Sequence, residues 1–117
     1  MMNSTPRFIH GVFAFEGAGL DAPRSLGSGA DYSVPADKRA QLIYMRGGNS
    51  ADELIYIVLT RDGKPMRYFP IGAKSSVHVP LAVVEDIFPE SKLGILLAAP
   101  KGATGTVVID LGLLEVD

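Results

Sequence analysis

Hydrophobic and polar positions alternate in short runs along this chain, and the runs are bounded by glycine, proline, aspartate and serine. Clusters of β-branched and aromatic residues between such breakers are the pattern of strands. Arg7 to Phe15 (RFIHGVFAF) predicts a first strand, and Glu16 to Gly29 a long irregular loop rich in glycine. Asp31 to Val34 predicts a short strand ended by Pro35, Lys38 to Arg46 a stronger one, and Gly47-Gly48-Asn49-Ser50 a turn. Glu53 to Thr60 (ELIYIVLT) runs into Asp62-Gly63, a pair suited to a tight hairpin whose two central residues need positive φ. Pro65 to Phe69 is expected to return antiparallel to it. Ser75 to Val84 sets Val77, Val79 and Leu81 against Ser76, His78 and Pro80, so one face meets a core. Pro80 places that strand at a sheet edge or at a bend. Glu85 to Ser91 predicts a turn, with room for one helical turn over Leu81 to Phe88. Lys92 to Ala99 and Gly105 to Val116 supply the last two strands, separated by Pro100-Lys101-Gly102.

About eight strands at regular spacing and no long helix predict an all-β fold, an antiparallel β-sandwich of jelly-roll-like layout. The opening FAFEG, the glycine-rich loop, the paired central strands and the closing GTVVIDLGLLEVD resemble jelly-roll carbohydrate-binding modules in architecture. That resemblance covers the strand rhythm and carries no functional residue with it. Two strands look apolar on both faces. Leu54, Tyr56 and Val58 oppose Ile55, Ile57 and Leu59, and Val107, Ile109, Leu111 and Leu113 oppose Val108, Leu114 and Val116. A two-layer sandwich buries one face per sheet, so the other needs a loop, a ligand or another subunit over it. Self-association through Ile55, Ile57, Leu59, Leu111 and Leu113 is the expectation.

At 117 residues, with no internal repeat or linker, the chain reads as one domain over residues 1–117. It holds no cysteine, which excludes disulfides, thiolate metal sites and cysteine nucleophiles. No signal-peptide pattern opens it and no apolar run has the length of a membrane helix, so a cytoplasmic protein without a membrane partner is expected. The net charge of -2 is unevenly placed: residues 1–37 carry -2, residues 38–74 carry +4 and residues 75–117 carry -4. An anion-binding patch or attraction between subunits would follow if folding kept these charges apart. Intermixing on folding is the ordinary outcome, and the favoured one.

Candidate chemistry is sparse. Gly17-Ala18-Gly19-Leu20-Asp21-Ala22 formally fits a dinucleotide-binding fingerprint, but Pro23, Gly27 and Gly29 follow where a helix would have to start, so a loop is expected. His10 and His78 have no metal-ligand spacing, and a site joining them to Glu16 or Glu85 is disfavoured. No nucleophile elbow surrounds any serine, and the pairs Asp52-Glu53 and Glu85-Asp86 read as solvated surface. The most suggestive group is basic and aromatic: Tyr44, Arg46, Tyr56, Arg61, Lys64, Arg67, Tyr68 and Phe69. Such residues on one sheet face could stack sugars or bases and hold anions.

The sequence thus predicts a non-catalytic binding or assembly module, a homo-oligomer with no cofactor and no metal. The alternative is a carbohydrate- or small-anion-binding module using Arg46, Asn49, Arg61, Lys64, Arg67 and Tyr68 around the 61–69 hairpin. A second alternative is an OB-like nucleic-acid-binding barrel, which the negative charge and missing RNP-like motif disfavour.

Overall fold

The computed structural model describes residues 3–117 and contains ten strands, three of them only two residues long. In chain order they are β1 (Ser4–Glu16), β2 (Arg24–Ser25), β3 (Tyr32–Ser33), β4 (Arg39–Asn49), β5 (Ile55–Arg61), β6 (Lys64–Ile71), β7 (Ser76–Pro80), β8 (Asp86–Ile87), β9 (Lys92–Ala98) and β10 (Thr104–Val116). Among the described residues there is no α-helix, only a 3-10 turn at Ser28–Ala30, and no helix long and apolar enough to cross a membrane.

Pairing is nested: β1 with β10, β2 and β3 with β9, β4 with β7, and β5 with β6, all antiparallel. The first sheet runs β1-β10-β4-β7, with β8 also on β4; the second runs β2-β9-β5-β6, with β3 also on β9. Because β2 and β3 both pair with β9, they act as one interrupted strand, and the chain winds as an eight-stranded antiparallel jelly roll. The second sheet is therefore one layer of a sandwich, which replaces the OB-like alternative.

Alternation along the strands fills the space between the sheets. Ile9, Leu42, Met45, Val107, Ile109, Leu111 and Leu113 project from the first sheet, and Ile55, Ile57, Leu59, Phe69, Ile71, Leu93, Ile95 and Leu97 from the second. This corrects the interface expected from the sequence. Ile55, Ile57, Leu59, Leu111 and Leu113 are all buried in that core, where each such side chain stabilises the fold by roughly 1.5–3 kcal/mol relative to exposure. They are not free to meet a second copy. The opposite face of β5 is covered from within: Val58 is only 1% exposed, flanked in register by Tyr68 and Leu96. Beside it, Tyr56 packs at 6.0 Å from the Tyr68 ring and donates its hydroxyl to the Leu20 carbonyl in the 17–23 loop.

The Asp62-Gly63 hairpin forms as the sequence predicts, with φ of 52° and 81° at its two central residues. Pro80 lies on an edge strand, β7. Two local expectations change. The turn expected at 47–50 is strand through Asn49. Gly47 faces inward, where a Cβ would stand 2.8 Å from Ile71 Cδ1, so this glycine serves close packing between sheets. The helical turn over Leu81 to Phe88 is absent, and Asp86–Ile87 instead pairs with Ala40 and Gln41. Gly17, the first glycine of the fingerprint-like stretch, is buried against the 99–103 turn, its N–H bonded to the Ala103 carbonyl at 2.7 Å.

Candidate functional site

The outer face of the first sheet carries a polar cluster, and register explains how. Three rows cross β1, β10, β4 and β7 in turn: Phe8, Gly112, Tyr44 and Pro80; then His10, Asp110, Arg46 and His78; then Val12, Val108, Gly48 and Ser76. Since side chains alternate faces, all three rows point away from the core. Charge is thus concentrated in the middle row, with apolar groups on either side.

Tyr44 organises that row. Its ring packs directly on Gly112, where a Cβ would fall 2.1 Å from a ring carbon, so only glycine leaves space for it. The Tyr44 hydroxyl donates to Asp110 Oδ1 at 3.1 Å. The Arg46 guanidinium lies 5.1 Å from the ring centroid, a cation–π distance. His78 meets the ring edge-on at 6.2 Å between centroids. Desolvation first, and the hydrogen bond to Asp110 second, hold the Tyr44 phenol above its ordinary pKa, so it stays a neutral donor. Gly48 lies in the lining of a depression of about 740 Å³, together with Arg46, Ser76, His78, Val108 and Asp110.

Toward β1 the face is apolar. Phe8, Val12 and Val108 are 55%, 67% and 49% exposed. They border a second shallow depression with Tyr44, His10 and Asp110.

The six residues expected to bind a ligand do not form one surface. Arg46 belongs to the face just described. Asn49 is buried and structural: its Nδ2 donates to the carbonyls of Glu53 (2.9 Å) and Gly72 (3.1 Å), and its Oδ1 accepts from Ala51 N–H at 2.9 Å. Arg61 and Lys64 flank a depression of about 420 Å³ at the β5–β6 hairpin, with Glu85 in its wall. Arg67 is paired to that same Glu85 and donates to the Met66 carbonyl at 3.2 Å. Tyr68 projects from the outer face of the second sheet, 61% exposed.

Charges intermix as the favoured expectation had it. Among the described residues the ion pairs are Arg7–Glu115, Lys38–Asp117, Arg39–Asp86, Arg67–Glu85 and Lys74–Asp52. Three of them join the basic middle of the chain to its acidic end. Glu115 is buried and also accepts the Tyr32 hydroxyl, linking β1 and β10 of the first sheet to β3 of the second.

His10 and Asp110 were not singled out together by the sequence. Period-2 alternation does place Phe8, His10 and Val12 on one face and Tyr44 with Arg46 on another, but only strand register brings these faces side by side.

No protein-family model matches the chain, and no curated protein matches it. Solved structures do. A chain of infectious bursal disease virus, Gx strain, aligns with a TM-score of 0.55 and 13% identity over 100% of this chain and 32% of its own. The insecticidal delta-endotoxin Cry8Ea1 from Bacillus thuringiensis aligns at 0.53 and 11% over 88% of this chain and 19% of its own. The Gt strain of the same virus aligns at 0.51 and 12% over 97% and 33%. This chain spans about a third or less of each, and at these identities the likeness is one of fold.

Proposed function

We propose that the domain is a non-catalytic assembly module that associates with a second copy of itself along β1. The observation that carries this reading is the coincidence of a long strand edge with the exposed apolar strip. β1 pairs with β10 through 13 consecutive residues without a register shift, and among the described residues no strand pairs with its other edge. Such an edge offers a row of backbone donors and acceptors to another chain. β1 has no lysine and no bulge; its proline, Pro6, and its inward-facing Arg7 sit near one end, and the 3-10 turn at Ser28–Ala30 packs near Phe13 toward the other. Antiparallel pairing of β1 with its own copy satisfies a two-fold axis, the commonest symmetry of soluble oligomers. It would extend the sheet and bring Phe8 and Val12 of each copy beside those of the other. Chains of the same fold in the structures of infectious bursal disease virus support a role in assembly.

Light scattering on a sizing column over a wide concentration range tests this. A dimer is expected, reduced to a monomer by Phe8→Lys with Val12→Lys, both at exposed positions. A wild-type monomer throughout, or a dimer indifferent to the two lysines, overturns the reading.

A further inference from the structure

The β4–β7 side of the same face holds a cluster that pairing along β1 leaves open. We infer that it is a binding site for an acidic sugar, with the sugar carboxylate on Arg46 and the ring hydroxyls between Asp110, Ser76 and His78. This does not depend on self-association.

Three features support the assignment. First, Arg46 is not taken up by an ion pair: unlike Arg7, Arg39 and Arg67 it has no carboxylate within ion-pair distance among the described residues, with Asp110 beside it across the strands. Its guanidinium is steadied by the Tyr44 ring, and that ring by Gly112 and Asp110, so little ordering is left to be lost on binding. A planar guanidinium held in this way matches a carboxylate with two parallel hydrogen bonds. Second, the depression has a shape as well as a charge. Gly48 takes part in an ordinary strand, with negative φ and with its built Cβ only in normal contact, 3.9 Å from Val108. No turn and no close approach requires glycine there, and its effect is to leave the space open. Third, the donor and acceptor set is mixed. Arg46, His78 and Ser76 can donate, Asp110 accepts, and Val108 supplies an apolar wall. A sugar offers hydroxyl protons for Asp110 to accept while its carboxylate faces Arg46.

Titration of trigalacturonate and of 3′-sialyllactose into isotopically labelled protein, followed by amide chemical shifts, tests the site. Shifts are expected at residues 46–48 and 76–78. The methyl ester of trigalacturonate, and lactose, should bind about tenfold more weakly or not at all. Arg46→Gln should weaken binding by a similar factor, and Gly48→Val should abolish it while the thermal melt shows a folded domain. The inference is overturned if neither acidic sugar moves these amides, if the uncharged sugars bind as well, if Gly48→Val or Arg46→Gln leaves affinity unchanged, or if a single-stranded oligothymidylate binds the site more tightly.

Discussion

At the level of single residues, the fold is held by a few polar groups that have no freedom to go elsewhere. Glu115 is buried, and it is tolerable there because Arg7 Nε lies 3.1 Å from one oxygen and the Tyr32 hydroxyl donates to the other. The Tyr32 phenol is correspondingly raised above its ordinary pKa, by burial first and by the bond to Glu115 second. The folded-state value lies above the unfolded value of about 10. The stability from this contact is therefore complete below that pH and is lost as pH rises through the folded value, because the unfolded chain releases the proton earlier. Above about pH 10 the urea midpoint should fall more steeply in the wild type than in Tyr32→Phe. Parallel slopes would mean that Tyr32 does not couple to the fold. Asn49 is the contrasting case. Asparagine beside two glycines reads from sequence as a turn residue, yet its amide bridges the Glu53 and Gly72 carbonyls and the Ala51 N–H from inside the sandwich. Its role depends on chain segments that sequence alone does not place next to it.

Among the elements, what was legible followed from local chemistry. Strands with β-branched runs appear close to where alternation puts them, and the Asp62-Gly63 hairpin has the two positive φ values its residues favour. The tip is also tied down: Asp62 N–H bonds to the Lys92 carbonyl at 2.8 Å, and Lys92 N–H to Asp62 Oδ1 at 2.9 Å. A Cβ at Gly63 would meet nothing within 4 Å, so Gly63→Ala isolates the backbone cost. That cost should be about 1–2 kcal/mol, read from the urea midpoint at unchanged slope. A neutral substitution would show that the hairpin relaxes to another turn. What was not legible depended on the facing sheet. Gly47 breaks the expected strand on paper but is accommodated because Ile71 fills the space its side chain would need. The same holds for Ile55, Ile57 and Leu59: both faces of β5 are apolar, and it is packing against the first sheet that makes theirs the core face, while Tyr56 on the other reaches the Leu20 carbonyl.

For the molecule as a whole, the apolar strip at β1 and the Arg46 depression share one sheet and meet at Val108 of β10, with β1 on one side and β4 on the other. β10 lies between β1 and β4, so the two strands are about 10 Å apart at the usual spacing of neighbouring strands. Assembly along the β1 edge extends the sheet and leaves the β4–β7 half uncovered. Packing of two sheets face to face would bury both halves at once. The two geometries therefore differ in what a change on β4 does to the mass in solution. Gly48→Val puts an extra apolar side chain in the middle of the face without straining β4, since the position has room beside Val108. Under edge pairing the variant loses the acidic sugar and keeps the wild-type dimer mass and concentration dependence. Under face-to-face packing the bulkier residue alters the dimer as well. A change in mass caused by Gly48→Val, measured by the same light scattering, would move the interface from the edge of β1 to the face of the sheet and place the sugar site in competition with the second copy.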